Sequence, residues 1–370
     1  MPIPKIALVP SSQGLKFLSV LPSNGEGDFT FTRSSSATRI NSKGLIETVG
    51  SGISRLNYDL VGGCPSHLLE IESTNSVPYS EDFSQWTNVG GNTITSGFLA
   101  PDGTNNASKI SGTGYVKYSN ISNNTAVRSI YAKTVSGTGT AVLCSNNENT
   151  NNTFTITNEW QRFDLKGTTS VTDVLDFYAI DFRGSGTLSE IVVFAAQNEG
   201  TEYITSYIPT IGTSVTRAGE SAYASGNTSI FNDSQGVLYL ETKSNLNDTS
   251  TRILSLSNSL GNEYIRIFYI NDNTNINILI EPAGVPKTIS INIPASDTFF
   301  KIAVKYILNN VEIYINGALS GTIVDIAMPT SLATLELDAG GATHFYSSTK
   351  EIRYYDTVLS AAQLIELTTL

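Results

Sequence analysis

Hydrophobic and polar residues alternate in short runs along most of the chain, which is the pattern of half-buried β-strands. Ile265 and Ile267 flank Arg266, and the same alternation recurs over residues 300–306. Gly, Asn, Asp, Ser and Pro separate these runs at short intervals and supply turn chemistry. The pattern therefore predicts an all-β protein with many turns.

The strand pattern divides the chain into three parts. Residues 74–217 and 218–370 each carry a series of strands and turns, which predicts two β-sandwiches. Residues 1–73 have little periodicity and many Ser and Gly, so we expect an extended region of loop and short strands. One short helix is predicted over about 361–367, because Ser360 can cap it and Gln363 stands at the spacing of a capping box.

Composition and charge narrow the class of protein. The 370 residues are 40% hydrophobic and 15% charged, which suits folded domains and argues against a disordered chain. The net charge is −11, and no cluster of Lys and Arg forms a basic face. We therefore expect no nucleic-acid binding. No apolar run approaches the roughly 20 residues that span a bilayer, so we expect no membrane insertion.

Three arginines, Arg33, Arg39 and Arg55, stand between short apolar runs of the N-terminal region. Carboxylates lie in the same region: Asp28, Glu47, Asp59 and Glu70. Arginine forms planar, two-point pairs with carboxylates and tolerates partial burial. We expect at least one such pair to fix this irregular segment; the alternative is three solvated guanidinium groups.

The N-terminal region also carries an ordered series of short motifs. Between residues 31 and 75 the series reads F-T-R, A-T-R-I-N, G-L-I-E, R-L-N-Y, G-C-P, L-L-E and T-N. In this order it resembles the leader of bacteriophage virion proteins. The resemblance implies that the chain is a building block of a virus particle, with residues 27–75 at its docking end.

Both sandwiches carry markers of their own. Residues 206–210 read S-Y-I-P-T and residues 215–218 read V-T-R-A, and residues 74–217 resemble a carbohydrate-binding-module-like jelly roll common in phage proteins. Residues 301–306 read K-I-A-V-K-Y and residues 311–317 read V-E-I-Y-I-N-G. On these motifs, residues 218–370 resemble a laminin-G-like, concanavalin-A-like sandwich. The resemblances imply lectin-like modules.

The sharpest candidate for catalysis is the pair Glu336 and Asp338, whose spacing places both carboxylates on one face of a strand. Concanavalin-A-like glycoside hydrolases carry a third carboxylate on this strand, and two carboxylates act there as acid and nucleophile. Here Gly340 and Gly341 stand where the third would be. We therefore expect that the chain is not an enzyme.

Glycan binding needs exposed aromatic faces beside polar groups. The candidate residues are Trp86, Tyr115, Tyr118 and Tyr346, whereas Trp160 is expected to be structural. No cofactor is expected. Glu81, Asp82 and Asp102 could still supply oxygen ligands to a structural Ca²⁺, their alternative role being in turns and helix caps. His67 and His344 are too far apart in the sequence to indicate a zinc site.

The expected function is that of a structural component of a phage particle, displayed on head or tail, whose lectin-like modules contact host or environmental glycans. The alternatives are a dedicated receptor-binding lectin module of a tail fibre and, third, a glycan depolymerase. Expected partners are other virion proteins of the capsid or tail, cell-surface glycans, and further copies of the chain in a homo-oligomer. A trimer is expected by analogy to phage fibres. The expected location is the virion, assembled in the bacterial cytoplasm and displayed on the particle surface.

Overall fold

The computed structural model describes residues 1–10, 17–60, 62–119, 126–145, 153–166, 176–201, 203–244, 251–269, 274–293, 298–339, 341 and 343–370. Within them the chain is nearly all β and ends in a short α-helix. The predicted fold class is confirmed: an extended N-terminal region precedes two β-sandwiches.

The strands of the N-terminal region are short, because Ser, Gly and Pro interrupt each apolar run. They are β1 (Ile6–Pro10), β2 (Phe17–Leu21), β3 (Thr30–Thr32), β4 (Ala37–Ile40), β5 (Ile46–Val49), β6 (Arg55–Asp59), β7 (Gly62–Leu68) and β8 (Ser73–Asn75). Strands β4 and β5 form a hairpin whose turn needs Gly44. This residue has φ +75°, and a Cβ there would lie 2.3 Å from the Leu60 carbonyl oxygen.

The middle sandwich opens with a 3-10 helix (Phe83–Gln85). Its strands are β9 (Thr87–Val89), β10 (Thr93–Phe98), β11 (Ala107–Ser111), β12 (Tyr115–Tyr118), β13 (Val127–Lys133), β14 (Gly139–Val142), β15 (Thr153–Ile156), β16 (Gln161–Lys166), β17 (Phe177–Asp181) and β18 (Glu190–Glu199). One sheet has the order β10-β11-β18-β13-β16 and the other β15-β14-β17-β12-β9. Alternate residues such as Ile130 and Ala132 fill the space between them.

Two short strands, β19 (Val215–Arg217) and β20 (Ser221–Tyr223), precede the last sandwich and form two-stranded sheets with β8 and β3. The last sandwich holds β21 (Gln235–Ser244), β22 (Arg252–Asn258), β23 (Tyr264–Tyr269), β24 (Asn275–Glu281), β25 (Lys287–Asn292), β26 (Phe300–Ile307), β27 (Asn310–Ile315), β28 (Ala318–Val324), β29 (Leu332–Glu336) and β30 (Ser347–Tyr355). One sheet runs β25-β24-β23-β22-β29 and the larger one runs β2-β1-β30-β21-β26-β27-β28. The predicted alternation holds, since Ile265 and Ile267 are fully buried while Arg266 is half-buried.

The N-terminal strands do not stand apart from the sandwiches. Strands β1 and β7 both pair with β30, and β6 pairs with β7. Strand β3 pairs with β20 and β8 pairs with β19. Ile40, Ile46 and Leu60 pack against the middle sandwich beside Tyr131 and Phe194. The N-terminal region thus lies between the two sandwiches and contacts both; the boundaries at 73 and 217 stay predictions.

The C-terminal helix α1 (Ala361–Thr368) begins where the capping box predicts. The Gln363 backbone N–H donates to the Ser360 hydroxyl, and the Ser360 N–H donates to the Gln363 side chain. Leu364 and Leu367 pack against Tyr239 and neighbouring side chains of the large sheet. In the part of the chain that the structure describes, no helix is long and apolar enough to cross a membrane.

Candidate functional site

A buried cluster of arginines and glutamates lies where the N-terminal region meets both sandwiches. Its members are Arg33, Arg55, Glu70, Arg217 and Glu220, and none is more than 5% exposed. Three guanidinium groups and two carboxylates leave a net charge of +1. Charges of this kind are tolerated inside a protein only when each is paired and hydrogen-bonded.

Arg55 is the centre of the cluster. Its Nε donates to Glu220 over 2.8 Å, and its Nη2 bonds both Glu220 and, over 2.8 Å, Glu70. Its Nη1 donates to the Thr38 carbonyl over 2.8 Å and to the Ser206 hydroxyl over 2.7 Å. One side chain therefore connects the N-terminal region to the segment that leaves the middle sandwich.

Arg33 and Arg217 complete the cluster from opposite sides. Arg33 donates to Glu220 over 2.6 Å and to the carbonyls of Ser35 and Ile53 over 2.8 and 3.1 Å. Arg217 lies 3.6 Å from the Glu70 carboxylate and donates to the Ile71 carbonyl over 2.6 Å. The irregular backbone of the N-terminal region is thus held by side-chain donors where a sheet ladder is absent.

The electrostatics of the cluster favour the ionised carboxylates. Burial by itself raises the pKa of Glu70, but the charges of Arg55 and Arg217 and hydrogen bonds from Ser206 and Arg55 lower it to about 2. Burial likewise opposes ionisation of Arg55, yet Glu220 and Glu70 raise its pKa above the ordinary value. Because the pKa of Glu70 is depressed, its contribution to stability is present above about pH 4.5 and is lost as the pH falls toward 2.

Two of the observed pairs, Arg39 with Glu47 and Arg55 with Glu70, join residues expected from the sequence, whereas the third acid, Glu220, was not expected. Arg39 pairs with Glu47, with Nε 2.7 Å from the carboxylate. Asp28 accepts instead from the Ser19 N–H over 2.6 Å. Glu220 stands 165 positions beyond Arg55, and the one available signal was an acid two positions after the end of the V-T-R-A motif.

A cavity of about 360 Å³ lies beside the cluster. Its lining comes from all three parts of the chain: Thr38, Arg39, Ile40, Ile46, Asn57, Leu68 and Glu70; Tyr131, Arg162, Ile204, Thr205, Ser206 and Tyr207; Lys243, Ser244 and Ser348. The volume falls in the lower part of the range of ligand sites, roughly 300–1,000 Å³. This cavity could not be predicted from the sequence, because no single segment forms it.

Two of the four aromatic candidates are wrong as exposed sugar platforms. Trp86 is 4% exposed. The 3-10 helix before it turns the ring into the core against Phe177, and its Nε1 donates to the Tyr79 carbonyl over 2.9 Å. Tyr115 is also buried, with the Arg183 guanidinium 3.8 Å from its ring centroid.

The other aromatic candidates are half-buried. Tyr118 packs edge-on against Trp86, and Tyr346 lies 5.3 Å from the His344 ring, centroid to centroid. Burial raises the pKa of Tyr346 to about 12. Trp160, expected to be structural, is also half-buried, with the Lys133 ammonium 5.2 Å from its ring centroid. Sugar binding by Tyr118 and Tyr346 stays a prediction.

The carboxylates of Glu336 and Asp338 do lie together. Burial and the neighbouring Asp338 charge raise the pKa of Glu336. Asp338 is only 2% exposed, accepts from the Ser221 hydroxyl over 3.3 Å, and lies 3.7 Å from His344 Nδ1. A raised pKa would suit Glu336 as a general acid. Asp338 would have to act as the nucleophile, and its burial restricts the access of a substrate to its carboxylate. Gly340, at the position of the missing third carboxylate, lies outside the described residues.

The three acids considered for calcium are engaged in protein hydrogen bonds. Asp82 accepts from the Ser84 N–H over 3.1 Å, and Asp102 accepts from the Thr104 N–H over 2.9 Å. Glu81 accepts from the Tyr207 hydroxyl over 2.8 Å. Across the described ranges, no group of three His, Cys, Asp or Glu side chains is placed to hold a metal ion. A structural Ca²⁺ at these acids stays a prediction.

His67 is a second unusual buried group near the cluster. Its ring stacks on Phe17 at 4.8 Å between centroids and lines a cavity of about 300 Å³ with Phe29 and Phe31. Neither ring nitrogen has a hydrogen-bond partner among the described residues. Burial, reinforced by the positive charge of Arg55, lowers the pKa of His67 to about 3. The folded protein therefore holds this imidazole neutral.

Comparison with known proteins gives distant structural similarities. No family model and no curated protein matches the chain. A CBM40 module of a Ruminococcus gnavus IT-sialidase, bound to alpha2,3 sialyllactose, is similar with 16% identity and a TM-score of 0.33, over 38% of this chain and 84% of that one. Domain 4 of AbnA, a GH43 arabinanase of Geobacillus stearothermophilus in complex with arabinotriose, has 16% identity and a TM-score of 0.34, over 41% and 73%. A Bacillus licheniformis beta-glucanase has 15% identity and a TM-score of 0.30, over 39% and 73%.

Removing one charge from the cluster should destabilise the protein. Glu220→Gln leaves three buried guanidinium groups with one carboxylate, so we expect a loss of about 3 kcal/mol or more in the free energy of unfolding. Urea unfolding followed by fluorescence measures it. The matched control is Glu190→Gln, which breaks a surface pair with Lys109 and should cost less than about 1 kcal/mol. Equal effects of the two changes would show that the cluster does not stabilise the fold.

The neutral His67 makes stability depend on pH. Its pKa is lowered from 6.5 to about 3, so between these values the unfolded chain binds a proton that the folded chain does not. Stability therefore falls as the pH falls through this window. His67→Phe keeps an aromatic ring on Phe17 but removes the titrating group. The urea midpoint of this variant should therefore change less between pH 6.5 and pH 4.5 than that of the unchanged protein. This window lies above the pH at which the contribution of Glu70 to stability begins to fall. The same slope in both proteins would contradict a neutral, buried imidazole.

Proposed function

We propose that the chain is a structural protein of a bacteriophage particle, displayed on head or tail, whose sandwiches contact host or environmental glycans. The observation that supports this is the composition of the buried cluster. Arg33, Arg55 and Glu70 belong to the motifs that resemble virion leaders, and Ser206 and Arg217 belong to the S-Y-I-P-T and V-T-R-A motifs. The motifs of both resemblances thus meet in one interaction.

A buried cluster that joins three parts of a chain suits a displayed particle protein. Such a protein must hold its modules in a fixed direction, and a closed network of buried charges is geometrically specific. A free lectin has no such requirement for its leader. This is why we favour a particle component over the alternative of a dedicated receptor-binding lectin module.

The proposal includes assembly as a homo-oligomer, with a trimer as the simplest form for a fibre. Strands β2 and β28 are the edge strands of the large sheet. They carry exposed apolar side chains: Leu18, Val20, Leu319 and Val324. Exposed apolar edge strands are surfaces on which further chains pair or pack. Partners from the capsid or tail are proposed for the same surfaces.

A glycan depolymerase is the third candidate, after the receptor-binding lectin module, and the raised pKa of Glu336 beside Asp338 is the observation that favours it. The sheet that contains β29 would then both bind the glycan and cleave it. The two functions differ in product: a particle lectin retains intact glycan, whereas a depolymerase releases shorter chains.

The proposal is tested on particles and on glycans. Particles of the phage whose genome encodes this chain are purified by density gradient, and mass spectrometry should detect the chain in them. Gold-labelled antibody against the chain should then mark the head or the tail in electron microscopy. Purified chain should also retain glycans on an array without shortening them. Particles that lack the chain would overturn the structural role.

The array separates the remaining functions. Glycan shortening that is abolished by Glu336→Gln would favour the depolymerase. No retention of any glycan, with the chain present in particles, would leave a structural role alone. Glu312→Gln is the matched control for the variant, because Glu312 is a strand carboxylate paired with Lys305 on the other sheet.

A further inference from the structure

The cavity beside the arginine–glutamate cluster is lined by more positive than negative side chains. Four charged side chains line it: Arg39, Glu70, Arg162 and Lys243. Arg39 is compensated by Glu47, and Glu70 by Arg55. The two that remain, Arg162 and Lys243, come from different sandwiches and face the same space. They form no ion pair among the described residues.

Arg162 forms no ion pair among the described residues, although the charge of Asp164 interacts with it. Its Nη1 donates to the Thr205 carbonyl over 2.6 Å, and its Nη2 donates to the Ser129 hydroxyl over 2.9 Å. Its Nε is buried and has no hydrogen-bond partner in the part of the chain that the structure describes. The guanidinium lies 5.4 Å from the ring centroid of Tyr131. The guanidinium is therefore fixed in the cavity wall by neutral acceptors, and a carboxylate bound in the cavity would add a charge-assisted contact to it.

Lys243 lines the same cavity from the last sandwich. It is half-buried, and its ammonium lies 5.0 Å from the ring centroid of Phe299. A second lysine, Lys350, lies 4.0 Å from the same ring but outside the cavity lining, and it pairs with Glu241. Arg162 and Lys243 thus line one cavity without an ion pair among the described residues. The chain as a whole is negative, with a net charge of −11, so a general excess of positive residues does not explain why they lie together.

The rest of the lining suits a saccharide. The hydroxyl-bearing residues Thr38, Ser206 and Ser244 line the cavity together with Tyr131 and Ile40. Hydroxyl oxygens and a few apolar or aromatic faces are the groups that orient a polar, ring-shaped ligand. An inorganic anion would use the cations but leave the apolar wall uncovered.

We propose that this cavity binds an acidic saccharide, whose carboxylate pairs with Arg162 and Lys243 while its hydroxyl groups contact the remaining lining. The inference deepens the proposed glycan contact and rests on it. It also moves that contact from the aromatic residues expected from the sequence to the junction of the two sandwiches. The ligand would touch all three parts of the chain.

The test compares a tetrasaccharide of galacturonic acid with the same tetrasaccharide methyl-esterified at every carboxylate. Calorimetric titration of the full chain should show binding of the acid and binding of the ester that is at least tenfold weaker. Lys243→Gln should weaken binding of the acid roughly tenfold, as expected for loss of one charge-assisted contact. Lys350→Gln, the matched control at the same phenylalanine, should leave the affinity unchanged.

The outcomes separate this inference from the proposed function. Equal affinities for acid and ester, or equal loss in both lysine variants, would overturn the acidic-saccharide site. So would binding of neutral glycans on the array with no binding of the acid; glycan contact itself would then stand. No retention of any glycan would overturn both the acidic-saccharide site and the glycan contact, and would leave the structural role. Arg162→Lys gives a second reading, since it keeps the charge but loses the planar donors and should also weaken binding of the acid.

Discussion

The structure depends on a small number of charges buried at one junction. Arg55 and Glu220 are fully or almost fully removed from solvent, and moving ions from water into a protein interior is strongly unfavourable unless they are paired. Each therefore requires the other, although they lie 165 positions apart. Because Arg55 belongs to β6 and Glu220 precedes β20, the pair holds the N-terminal region against the start of the last sandwich.

Other contacts extend from this pair. Glu70 joins Arg55 to Ser206, and Ser206 belongs to the segment that packs on the middle sandwich through Tyr207 and Phe194. The N-terminal strands then complete the large sheet beside β30. The cavity is a consequence of these contacts, because the cluster holds together the N-terminal region and the two sandwiches whose residues line it. A binding surface that needs all three parts can exist only while the cluster is intact.

Local patterns could be predicted from the sequence, and long-range partners could not. Alternation placed Ile265 and Ile267 inside, and the capping box placed the start of α1, because both depend on neighbouring residues. The partner of Arg55 depends on how two sandwiches dock, which no local pattern encodes. Trp86 was misjudged for a related reason: polar neighbours indicated exposure, but the preceding 3-10 helix turns the ring into the core.

The central claim is that the cluster makes the N-terminal region and both sandwiches one cooperative unit. Differential scanning calorimetry of the full chain at pH 7 tests it most directly. One transition whose calorimetric and van't Hoff enthalpies agree is the predicted result, because no part can unfold without exposing the buried charges. Two resolved transitions, one for each sandwich, would contradict the account.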